Sequence, residues 1–135
     1  MTCPLVYEPV YRPCKNASGS TIAIGKIVKI SASPTVNLEV EVVSAVTDAL
    51  YGICANAAIA DGEMGDVQIG GIALVMAGDT VAVGARVTTD ASADGVTATD
   101  GDSILGVAVT AGTDGELFAV ELTGPGAGRS TAPAA

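Results

Sequence analysis

The chain has 135 residues and a net charge of −9, from 15 acidic and 6 basic side chains with no histidine. That length bounds it to one domain, the charge disfavours a phosphate-backbone partner, and no apolar run approaches the roughly 18 residues of a membrane-spanning helix. Nearly half the residues are hydrophobic, mostly Val, Ile, Leu and Ala, with one Phe, no Trp and 17 Gly, a mixture that favours short strands and tight turns over long helices.

Residues 1–20 differ in character from the rest of the chain. Pro4, Pro9 and Pro13 forbid a regular helix and discourage a central strand. The N-terminus lacks the basic and apolar regions of a signal peptide, so the protein is expected to act without secretion. Leu5, Val6, Tyr7, Val10, Tyr11 and Arg12 are too apolar and aromatic for an idle tail. They predict an extended N-terminal arm that binds a partner, with Tyr7, Tyr11 and Arg12 as its anchors. On this reading residues 1–14 are dispensable for folding.

Strands are expected next. Val36, Leu38, Val40 and Val42 alternate with Asn37, Glu39 and Glu41, the pattern of a half-buried strand with the polar residues in water. Ile72-Ala73-Leu74-Val75-Met76 is a continuous apolar run between glycines, which suits a strand covered on both faces. Phe118, Val120 and Leu122 alternate with Ala119 and Glu121. Asp61-Gly62, Asp94-Gly95, Asp100-Gly101 and Asp114-Gly115 mark tight turns. Residues 125–135, rich in Gly, Ala and Pro, read as a flexible tail.

The chain also repeats itself. Thr21-Ile22-Ala23-Ile24-Gly25 returns as Thr80-Val81-Ala82-Val83-Gly84, and Gly52-Ile53-Cys54 as Gly106-Val107-Ala108. Asp61-Gly62-Glu63-Met64 returns as Asp114-Gly115-Glu116-Leu117, and Val67-Gln68-Ile69 as Val120-Glu121-Leu122. The block order is kept, so residues 21–124 read as a duplicated β domain with repeats of about 21–71 and 80–124. Each repeat is too short to bury its own apolar face, and the two are expected to close against each other with approximate two-fold symmetry. Val28, Val40, Val87, Val107 and Val120 are the expected core. The fold class is all-β: a small barrel or sandwich of roughly seven or eight strands in two tandem related units.

Little in the residues suggests catalysis. With no histidine the commonest general base is missing, and the carboxylates sit mostly in turns or on outward strand positions. The sequence therefore predicts no enzyme activity, no catalytic residues and no cofactor. Cys3, Cys14 and Cys54 have no C-x-x-C spacing, so no metal site is expected. Cys54 reads as a small core residue, and free thiols are favoured over a Cys3–Cys14 bridge. Asp90, Asp94, Asp100 and Asp102 lack the ordered ligand spacing of a calcium loop.

The ordered series of Thr21-Ile22-Ala23-Ile24-Gly25-Lys26, Leu50-Tyr51-Gly52-Ile53-Cys54, Gly65-Asp66-Val67-Gln68-Ile69-Gly70, Thr80-Val81-Ala82-Val83-Gly84 and Ile104-Leu105-Gly106-Val107-Ala108 resembles the small cement, or head decoration, proteins of tailed bacteriophages. The likeness covers most of residues 7 to 123. It implies a virion protein on the outer capsid surface, assembled in the host cytoplasm. Such a protein binds the major capsid protein between capsomers, often as a trimer, and reinforces the head against packaged DNA. It also implies a homo-oligomer, while the charge and the lack of a long apolar run predict no direct nucleic-acid and no membrane contact. The competing reading is a surface-display or fibre-type virion protein that binds host glycans or the cell surface. Glycan binding is weakened by the lack of Trp, since sugar faces stack on aromatic rings; the fibre reading stays open.

Overall fold

The computed structural model describes residues 9–31 and 38–123. Ten strands run through them: β1 (Val10–Asn16), β2 (Ile27–Ile30), β3 (Glu39–Val42), β4 (Gly52–Cys54), β5 (Met64–Gly70), β6 (Ile72–Met76), β7 (Arg86–Thr89), β8 (Gly95–Thr97), β9 (Gly106–Ala108) and β10 (Leu117–Leu122). No described residue is helical. The first five close into a barrel in the order β1-β3-β2-β4-β5, and the last five form a sheet in the order β6-β10-β9-β7-β8.

The two orders are the same order. Adding five to each strand of the barrel reproduces the second sheet, except that β6 and β8 meet only through the parallel bridge Ala77↔Gly95. The repeat extends to single hydrogen bonds. The Ile22 and Ile59 backbones bond reciprocally at 2.9 Å, as do Val81 and Gly112 at 3.0 and 2.8 Å. Gly62 N–H donates to Asn16 O, and Gly115 N–H to Ala77 O. Both of these Asp-Gly turns carry the positive φ that glycine accepts, 79° and 83°. Unit 1 is therefore residues 10–70 and unit 2 residues 72–122, each beginning one strand earlier than the sequence echo suggests. The opening strands β1 and β6 share a place in the fold but no sequence pattern.

That placement corrects the arm. Residues 10–16 are a barrel strand between β3 and β5, so a deletion of residues 1–14 removes a wall of unit 1. Pro13 is tolerated because of where its nitrogen points. Lys15 N–H donates to Leu38 O, so the Pro13 nitrogen two residues earlier faces the β3 side, and pairing with β3 starts only at Lys15. The missing donor costs no ladder bond.

Other expectations change with burial. Glu39, expected in water, is buried because β1 runs beside it in the register Lys15↔Glu39. Val36 and Asn37 of the same expected strand lie outside the described residues. In β6 Ala73 and Val75 face the core while Leu74 is 56% exposed, so this strand is covered on one face, not two. Val107 is 38% exposed, whereas Val28, Val40, Val87 and Val120 are fully buried. At Asp94-Gly95 the positive φ belongs to Ala93, at 64°, and Gly95 opens β8 instead of making the turn.

Each unit has its own interior, contrary to the expectation that neither could. Cys14, Ile22, Val28, Val40, Cys54, Ile59, Val67 and Ile69 fill the first barrel. Val75, Val81, Val87, Phe118 and Val120 form the core of the second sheet, and Ile27, Val43, Leu50 and Ile53 of unit 1 join that second cluster. The contact is not two-fold. Ile27, Ile53 and Gln68 are cross-strand neighbours buried against unit 2. Their counterparts Arg86, Val107 and Glu121 form the same row on unit 2 and are exposed. The units are joined head to tail.

The joint is a splint. In unit 1 the β1–β3 seam holds the bond Lys15 N–H to Leu38 O; its unit 2 counterpart, Met76 to Ala93, is absent. Residues 25–27 of unit 1 stand in that gap. Met76 N–H donates to Gly25 O at 3.0 Å, and Ile27 N–H donates to Ala93 O at 2.9 Å. Lys26 Nζ closes the joint on Asp94 Oδ1 at 2.6 Å and on Ser92 O at 3.1 Å. Burying Ile27 and Ile53 here contributes about 1.5–3 kcal/mol each.

Gly25 lets the splint approach. A Cβ there would lie 2.7 Å from Leu117 Cδ2 and 2.8 Å from Met76 N, whereas its counterpart Gly84, with φ +85° against +88°, has open space around it. Gly84→Ala therefore costs only the left-handed strain, about 1–2 kcal/mol. Gly25→Ala is expected to cost about 1–3 kcal/mol more, because the close contact must be relieved as well. Urea unfolding of the two variants measures the difference, and equal losses would show that the joint bears no load.

Candidate docking surface

Where the units meet, the outer surface dips into an open groove of about 230 Å³ lined by Tyr11, Ile24, Ala55, Asn56, Gln68, Ile72 and Leu74. Its walls come from both halves of the chain. Tyr11 stands on β1 opposite Gln68 of β5, and Ile24 on the turn before the splint; Ile72 and Leu74 stand on β6. Gln68 is held across the joint, its Nε2 donating to Gly70 O at 3.0 Å and to Ile72 O at 2.9 Å. Asn56 adopts φ 65° and donates from Nδ2 to Asp66 Oδ2 at 3.0 Å, which fixes the polar rim.

The groove is largely apolar and open to solvent. Tyr11 and Ile24 are each 39% exposed, and Leu74 more so. Exposed apolar side chains gathered at one concavity, with a satisfied polar edge, are the features of which protein-docking surfaces are built. Nothing in the lining resembles a reaction centre. It holds one phenol, two amides and four aliphatic side chains, and no acid–base pair.

The structure places only part of the sequence-based site here. Tyr11 is in the groove, and Val10, half exposed, packs beside Gly70 at its end. Arg12 points the other way. Strand alternation puts it on the side of Cys14, where its charge acts on the Cys14 thiol and on the Tyr51 phenol. Leu5, Val6 and Tyr7 lie outside the described residues. Ile24, Ile72 and Leu74 are the residues the sequence reading missed. Leu74 sits mid-way in an apolar run, with no local sign that it faces outward.

Asp90, Asp94 and Asp102 serve turns and the joint. Asp90 Oδ1 accepts from the N–H groups of Ser92 and Asp94, Asp102 Oδ2 accepts from Thr99, and Asp94 holds Lys26. No cluster of ligating side chains suited to a metal occurs among the described residues.

Cys14 and Cys54 are free and buried inside the first barrel. Burial pushes both thiols up from the ordinary 9.0 to about 11; Arg12 opposes this at Cys14, and a backbone hydrogen bond to Ile59 opposes it at Cys54. A raised folded value favours the neutral thiol, so the stability it confers is full below pH 9.0 and is lost as the pH rises towards about 11. Both cysteines should resist iodoacetamide at pH 8 in folded protein and react once urea unfolds it, as read by peptide mass mapping. The urea midpoint of the Cys14→Ala/Cys54→Ala variant should fall less between pH 9 and 11 than that of the parent.

Comparison with known proteins gives a family and a fold. The model of the phage cement protein family matches residues 13–123, from β1 of the first unit to the end of β10 of the second, and the chain belongs to that family. Among solved structures it is similar to the head fibre gp8.5 N base of bacteriophage phi29, with TM-score 0.67 and 18% identity over 86% of this chain and 95% of that one. At that identity the likeness is one of fold. Curated protein sequences provide no match.

Proposed function

We propose that this member of the phage cement protein family binds the outer surface of a tailed-phage head between capsomers, contacts the major capsid protein and stabilises the shell against packaged DNA. Family membership supports a capsid-associated structural role. The observation that carries the finer reading is the joint. A closed barrel and a five-stranded sheet locked by backbone hydrogen bonds form a stiff body, and the groove between them offers apolar side chains from both. A stiff body that touches two capsomers needs only a modest interface at each, because the second contact is intramolecular once the first is made. The acidic surface keeps such a clamp clear of nucleic acid.

In this reading the groove takes an apolar segment of the capsid protein, and residues 1–9 add to it. Val10 and Tyr11 place the start of β1 at the groove, and Leu5, Val6 and Tyr7 precede them in the sequence. The protein works as a homo-oligomer on the capsid, for which the sequence resemblance implies a trimer. A fibre-base role is the second reading, supported by the fold shared with the phi29 head fibre base.

Capsids lacking the protein should assemble but release DNA at a lower temperature than decorated ones; equal release temperatures would favour the fibre-base reading. Leu74→Glu places a charge on an exposed position and should weaken capsid decoration about tenfold or more without lowering the melting temperature. Deleting residues 1–8 leaves all ten strands and should also reduce decoration. Unchanged decoration by both variants would move the binding surface elsewhere.

A further inference from the structure

Unit 2 carries an uncovered copy of the face that unit 1 buries. In unit 1 the row Ile27, Ile53 and Gln68, with Gly25 beside it, is closed by Met76, Leu117 and Ala93 of unit 2. The matching row in unit 2 is Arg86, Val107 and Glu121, with Gly84 beside it, and solvent covers it. Val83 is 65% exposed, and Val107 and Val109 are each 38% exposed, around that open glycine. The reverse holds for the surface that does the covering. Leu117, which packs on Gly25, has its counterpart in Met64 of unit 1, which is 54% exposed. One chain thus ends in an open socket on unit 2 and an open plug on unit 1.

We propose that a second copy of this chain fills that socket, with Met64 of its unit 1 packed on Val83, Gly84 and Val107 of the first copy's unit 2. The contact continues the head-to-tail arrangement already present inside the chain. Its charges suit a reversible joint. Arg86 and Glu121 replace Ile27 and Gln68 at the rim, and the plug carries Glu63 and Lys15 beside Met64, one charge of each opposite sign. The contact between copies is weaker than the internal one for a definite reason. Lys15 N–H already donates to Leu38 O, so the seam of unit 1 is shut and accepts no splint. Side chains alone make the contact. Because plug and socket are different surfaces, the interface is heterologous, and copies add in one direction into a ring or a short chain.

The proposal deepens the homo-oligomer part of the proposed function but rests on the duplication, so it is tested on the purified chain without capsids. Sedimentation analysis of the wild-type chain should show mass rising with concentration. Val83→Glu spoils the socket and Met64→Glu spoils the plug, each at a position more than half exposed. Each variant alone should associate at least about tenfold more weakly than wild type, with circular dichroism unchanged. An equimolar mixture of the two should form a dimer and stop there, since it contains one intact plug facing one intact socket. Should either variant lose its fold, Val107→Ser and Met64→Ser serve as milder replacements. A wild-type chain that stays monomeric, a Met64→Glu variant that associates normally, or a mixture that stays monomeric overturns the proposal.

Discussion

The structure depends on three residues of one unit standing in the open seam of the other. Residues 25–27 take up a donor and an acceptor, Met76 N–H and Ala93 O, that would otherwise face each other across a gap at the edge of the second sheet. Unpaired backbone groups at a buried edge are costly, and an open sheet edge invites association. The splint settles both. It also explains why a duplicated sequence yields one closed barrel and one sheet joined by a single parallel bridge. The copies diverged at the seam, one to shut and one to receive.

The sequence showed the duplication but not its limits or its hand. Gly25 and Gly84, Gly62 and Gly115, and the valines of β5 and β10 repeat because turns and core positions constrain residue type in both units alike. The strands β1 and β6 do not repeat as text, since Tyr11, Arg12 and Pro13 stand where Ile72, Ala73 and Leu74 stand in the other unit. Three prolines disguised the first of these strands as an arm, because one proline nitrogen faces an unpaired side and no local pattern announces that. The direction of packing was hidden as well. It is carried by Ile27 against Arg86 and by Gln68 against Glu121, differences that look like drift until burial gives them meaning. Of the six residues expected to bind a partner, Tyr11 reached the groove and Val10 its edge, while Arg12 is exposed on the opposite face of β1.

The proposed function rests on the same joint. A groove with walls from two units keeps its shape only while the units stay fixed to each other. Here the fixing comes from three backbone hydrogen bonds (Met76 N–H to Gly25 O, Ile27 N–H to Ala93 O and Ser103 N–H to Val46 O), an ion pair between Lys26 and Asp94, and a shared apolar row. For a structural component of a phage head, that rigidity is the useful property. Little conformational entropy remains to be lost on docking.

Native-state hydrogen exchange at Met76 and Ile27 reads this joint directly, since both amides are donors across it. If the two units form one rigid body, these amides exchange only on global unfolding, with the same opening free energy as those of Tyr51 and Val120 inside each unit. Exchange of Met76 and Ile27 well before those interior amides would mean that the units part while each stays folded, and would contradict the account.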